Sequence, residues 1–139
     1  MVCPEKAIKL ENRTYDDFSK GMALVTAKFL EKFKPEDLLF INFLTNITMY
    51  CDCWGMSTPS LVPDIGILAS DDIVAIETAS LDMIKTENFL KQGLPKGREL
   101  LDRKGHLFEK IFAKNPYMMI KDLEKVYGGT SKYSIEEIK

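Results

Sequence analysis

The chain has 139 residues, enough for one domain to bury a core without disulfide or metal staples. Its 45% hydrophobic and 29% charged residues exclude a disordered chain, and a net charge of −2 gives no overall electrostatic case for nucleic acid. No apolar run approaches the roughly 20 residues that span a bilayer, no signal peptide opens the sequence, and an odd number of cysteines fits a reduced cytoplasmic protein better than a disulfide scaffold.

At the amino-terminal end, Cys3-Pro4 followed by Ala7-Ile8 reads like the last cysteine of a bacterial ferredoxin run, C-x2-C-x2-C-x3-C-P. The other three cysteines of such a run would lie upstream, so residues 1–13 read as a remnant of a cluster motif. One cysteine cannot hold a four-iron cluster. Thr14 to Phe33 follows as a helix, opened by Thr14 and Asp17 in a capping-box-like spacing and closed by Lys34-Pro35. Phe18, Met22, Val25, Phe29 and Phe33 recur at helical spacing and are expected to face the core.

Leu38 to Leu44 reads as a central strand, apolar on both faces as covered parallel strands are. Its polar member, Asn42, is expected to be buried and hydrogen-bonded. The strand runs out into a loop carrying Cys51-Asp52-Cys53-Trp54-Gly55, and ligands collect at the carboxyl ends of strands in open α/β sheets. Cysteines at i and i+2 can reach one metal from a bent loop, or they can be inert thiols. A disulfide between them would close a strained ring. His106, the one histidine, reads as a surface residue on its helix rather than a ligand.

Beyond Pro59 and Pro63, Asp64 to Ala69 reads as a second short buried strand, with Gly66 suggesting close backbone approach. Ser70 is expected to cap a helix from about Asp71 to Glu87, with Ile76, Ala79, Ser80 and Met83 on the sheet side. A helix over Gly97–Ala113 should turn Leu100, Leu101, Leu107, Phe108, Ile111 and Phe112 inward. Another starts at Asn115-Pro116 and stops at Gly128-Gly129, and Lys132 to Ile138 adds a terminal strand. The whole is one α/β domain over 1–139: a small mixed or parallel sheet of about three strands covered by about four helices.

Charge is distributed unevenly. Pro35 to Ile84 contains no lysine or arginine but holds Glu36, Asp37, Asp52, Asp64, Asp71, Asp72, Glu77 and Asp82. A window with two thiols, many carboxylates and no cation is compatible with a metal site; acids capping helices would look the same.

Asn42-Phe43-Leu44, Ile47-Thr48, Cys51-Asp52-Cys53, Val62-Pro63-Asp64-Ile65-Gly66-Ile67 with Ala69-Ser70, and Asp72-x-Val74-Ala75-Ile76 with Ala79-Ser80 occur in this order in one family. The chain resembles that widespread bacterial and archaeal family of unknown function, described as iron–sulphur centre proteins. Its longer members carry a ferredoxin-like pair of cluster motifs upstream of this segment, and Cys3-Pro4 falls where the last cluster cysteine is expected. The tail from Leu123 to Ile138 also looks like the family's carboxyl end. Departures include Asn46, Ser57 and Glu77, where aspartate is common, and Met49, where proline is common.

The resemblance implies the carboxyl-terminal portion of an iron–sulphur centre protein. Cys51, Cys53 and Cys3 would be the thiolates closest to a cluster or transition metal, Asp52 and Asp64 oxygen ligands or supports, and Asn42 an orienting residue. The implied partner is an upstream cluster-binding domain or a second copy, with neither nucleic acid nor membrane. Two other readings come from the residues alone: a self-associating structural module without chemistry, and an enzyme using Cys51 as nucleophile. The second of these lacks a neighbouring cation in sequence.

Overall fold

The computed structural model describes residues 14–51, 53 and 55–138. Helix α1 spans Thr14–Leu30, with Asp16 and Asp17 in its first turn and Lys28 in its last, each charge opposing the helix dipole at its end. A 3-10 turn at Pro35–Asp37 leads into β1, Phe40–Leu44. A long excursion over 45–65 then returns to β2, Gly66–Ser70. The two strands pair antiparallel in the register Phe40↔Ser70 to Leu44↔Gly66.

Among the described residues the architecture is therefore a mixed α/β fold with four α-helices and a small sheet. Among the described residues the sheet has two strands, and their antiparallel pairing replaces the expected parallel or mixed set of about three. The expected terminal strand at Lys132–Ile138 does not form; that segment has no regular secondary structure, and Tyr133 to Ile138 line a groove together with β2.

Helix α2, Ile73–Met83, covers one face of the ladder. Ile76, Ala79 and Ser80 are buried there, as the sequence expects, and the small side chains let helix and strands approach closely. Its cap is Asp72 rather than Ser70. The Asp72 carboxylate accepts the N–H groups of Val74 and Ala75 at 2.8 and 3.1 Å, while Ser70 Oγ accepts the Asp72 N–H. Gly66 is explained by conformation instead of crowding: its φ is +149° and nothing lies near the position a Cβ would take.

Helix α3 is confined to Leu107–Phe112, shorter than the expected Gly97–Ala113. Gly105, at φ +120°, breaks the helical path, and His106 starts the helix by accepting the Phe108 N–H on Nδ1 at 3.1 Å. Helix α4, Met118–Val126, packs on α1. Leu107 and Ile111 are buried as expected, whereas Leu101 and Phe112 are exposed.

Two hydrophobic clusters result. Met49, Leu61 and Val62 from the excursion join Ile84, Leu107 and Ile111 in one. Ala23 and Ala27 of α1 join Val74, Ile120 and Leu123 in the other. The α1 surface is the reverse of the expected one. Ser19, Ala23, Ala27 and Leu30 are buried, while Phe18, Met22, Val25, Phe29 and Phe33 are exposed. Small residues permit close α1–α4 packing, and Ser19 Oγ donates to Asp122 on α4 at 3.3 Å, so the large side chains are left outside.

Candidate functional site

The excursion over 45–65 is a loop with a knit base and an exposed tip. At the base, the Ile65 N–H donates to Leu44 O at 2.8 Å and the Leu61 N–H to Ile47 O at 2.7 Å, carrying the antiparallel pattern beyond the ladder. Asn46 turns the chain at φ +49°, a left-handed conformation that asparagine tolerates better than most residues. Its N–H donates to Asp64 Oδ1 at 2.7 Å and its side-chain Oδ1 accepts from Ser60 Oγ at 3.0 Å. Higher up, the Met49 N–H donates to Thr58 Oγ1 at 3.0 Å. Met49, Leu61 and Val62 are buried, so the base is fixed by packing as well.

The tip carries the thiols. Cys51 and Cys53 are both exposed and not joined in a disulfide, and the Cys53 N–H donates to Cys51 Sγ at 3.4 Å. An N–H directed at sulfur offsets negative charge on it, as hydrogen bonds do around metal-bound thiolates. Arg98 Nη1 donates at 3.1 Å to the hydroxyl of Tyr50, the residue preceding Cys51 in sequence. No spacing rule joins positions 50 and 98, so sequence reading misses this pair.

The remaining expected residues are distributed differently. Asp64 is at the loop root, with one carboxylate oxygen committed to the Asn46 backbone. Asn42 is hydrogen-bonded as expected but only half-buried, and it ties β1 to α2 instead of orienting the loop. Its Nδ2 donates to Glu77 Oε1 at 3.0 Å and to Ser80 Oγ at 2.9 Å. Cys3, Asp52 and Trp54 lie outside the described residues. His106 holds the Leu81 carbonyl through Nε2 at 2.8 Å and meets Tyr117 edge-on at 5.7 Å, so both ring nitrogens are occupied by backbone. Among the described residues, no three His, Cys, Asp or Glu side chains converge as a metal-binding group.

A groove of about 580 Å³ opens next to the loop base, lined by Phe18, Thr48, Met49, Glu77, Phe112 and Lys114 among others. On another part of the surface, Asp82 accepts the Tyr117 hydroxyl on one oxygen and the Tyr133 hydroxyl on the other, each at 2.7 Å. Burial, then the Asp82 hydrogen bond and charge, raises the Tyr117 pKa far above its ordinary value; for Tyr133 the hydrogen bond is the larger cause. This clasp fastens the carboxyl-terminal tail. A second tie is the Thr130 N–H on the Asp72 carboxylate at 2.8 Å.

Among the described residues, no helix is long and apolar enough to cross a membrane. Comparison with curated proteins gave no match, and comparison with solved structures gave none. A family model, "Domain of unknown function (DUF362)", matches residues 2–82, which take in α1, both strands, the thiol loop and nearly all of α2. That match covers more than half of the chain, which therefore belongs to the DUF362 family.

Proposed function

We propose that the chain is a carboxyl-terminal module of an iron–sulphur centre protein and supplies two thiolates, Cys51 and Cys53, to a cluster or transition metal. The observation that carries this reading is the exposed Cys51–Cys53 turn, with a backbone N–H already directed at one sulfur.

The fit is partial. A four-iron cluster takes four thiolates, and the described residues offer two. Cys3 or an upstream cluster-binding domain would provide the others. Bound there, the metal centre would supply electron transfer or Lewis acidity. This chain's part is to hold two sulfurs on a fixed loop base and to compensate their charge. Asp52 completes the loop sequence between them, and Asp64 acts by pinning the root through Asn46.

Anaerobic purification followed by iron, sulphide and zinc analysis tests the reading. The expected result is bound metal with thiolate-to-metal absorption, both lost in Cys51→Ser and Cys53→Ser. Metal content that is unchanged in the two variants overturns it.

A further inference from the structure

Among the described residues, nothing covers the side of the β1–β2 ladder away from α2. Leu39, Ile41, Phe43 and Ile67 are 67%, 50%, 66% and 61% exposed, and Phe43 pairs directly with Ile67 across the strands. These residues form one continuous apolar face. Acids stand at both ends of the ladder. Glu36, Asp37 and Asp71 lie near the Phe40↔Ser70 end and Asp64 near the Leu44↔Gly66 end, with no lysine or arginine anywhere from 35 to 84.

A second uncovered apolar surface is the outer stripe of α1. Val25 and Phe29 are 68% and 64% exposed, and Phe29 meets Phe33 at 5.3 Å between ring centroids. Around Val25, Phe29 and Phe33 the charges are mostly of the opposite sign, Lys28, Lys32 and Lys34 against Glu31, while Asp16 and Asp17 are confined to the first turn of the helix.

We propose that these two surfaces bind each other between copies of the chain, the α1 stripe of each copy lying on the open sheet face of its partner. In a two-fold dimer the same contact forms twice, so every one of these apolar surfaces is covered and each acidic rim meets a lysine-flanked helix. Three phenylalanines and four aliphatic side chains, each about half exposed or more, offer on the order of 750 Å² per copy, close to the roughly 800 Å² per partner of a standard interface. A different partner would have to provide both an acidic-rimmed and a basic-rimmed apolar surface. The second copy already has both.

Sedimentation equilibrium of the full chain provides the test, with circular dichroism confirming that each variant is folded. The wild-type chain is expected to be a dimer, weakened about tenfold or more by Phe43→Lys and, separately, by Phe29→Glu. Charge reversal gives a sharper readout. Lys28→Glu with Lys32→Glu, and Glu36→Lys with Asp37→Lys, should each weaken self-association, while a mixture of the two variants restores a heterodimer. A chain that stays monomeric overturns the proposal, whatever other polypeptide binds the surface. So does an oligomer insensitive to both phenylalanine changes, or one sensitive to a single face, which would mean that face pairs with its own kind.

Discussion

The two hydrophobic clusters are built on opposite principles. Around the loop base, large side chains are inside: Leu61 and Leu107 have no exposed surface, and Met49, Ile84 and Ile111 fill the space between them. Between α1, α2 and α4, α1 contributes Ala23 and Ala27, and its larger apolar residues other than Leu30 point outward. The first region gains stability from buried volume, the second from close approach of backbones. Hydrophobicity alone does not determine which way a side chain faces; where helices pack closely, size determines it.

The largest expected effect is in the loop-base cluster. Leu107→Ala removes a wholly buried side chain among six buried residues and should cost about 2–5 kcal/mol in chemical denaturation. Faster proteolysis of 45–65 should accompany it, because the loop base rests on that cluster. A cost below about 1 kcal/mol would place the loop base outside the core and break the contrast.

A smaller effect is expected at the joint between the regions, where Tyr117 packs against His106 on one side and donates to Asp82 on the other. Tyr117 and Tyr133 have raised pKa values in the folded chain, so the folded state holds their protons more tightly than the unfolded one. Their stabilisation is fully present below the ordinary tyrosine value of about 10 and is lost as pH rises through the higher folded values. Denaturation followed against pH should show this alkaline decline, and Tyr133→Phe should reduce it. A decline identical in wild type and variant would remove the clasp from the account.

The smallest effect belongs to the α1 stripe. With Phe29 64% exposed, Phe29→Ser should change the stability of a dilute, dissociated chain by no more than about 0.5 kcal/mol. A loss comparable to that of Leu107→Ala would show that the stripe is buried within the chain, and the contrast would collapse.

Much of this organisation can be read from the sequence, though not all of its geometry. Periodicity locates α1, α2 and α4, and the short apolar runs at Phe40–Leu44 and Gly66–Ser70 locate both strands. Direction is misread, because a continuous apolar run ordinarily marks a strand covered on both faces, whereas β1 exposes Ile41 and Phe43 on one face of an antiparallel ladder. The α1 stripe misleads for a related reason: periodicity reports that one face is apolar and leaves open whether this chain covers it. Gly105, a poor helix former held at a positive φ, lies just before α3 and marks where the expected longer helix gives way. At the candidate site, the thiols, Asp64 and the structural role of Asn42 are legible. Arg98 at Tyr50 and the tyrosine pair on Asp82 depend on contacts between distant positions, and no local pattern encodes those.

The knit base of the thiol loop makes the loop's length adjustable. Hydrogen bonds at Leu44–Ile65, Asn46–Asp64 and Ile47–Leu61 close the excursion well below the cysteines. Lengthening the segment above them adds little closure entropy, about 0.6 kcal/mol for each doubling of a flexible loop. Residues inserted between Cys53 and Thr58 would therefore leave the strand register untouched. The tip can change its reach, or acquire a spectroscopic or affinity tag, while the scaffold below keeps its shape.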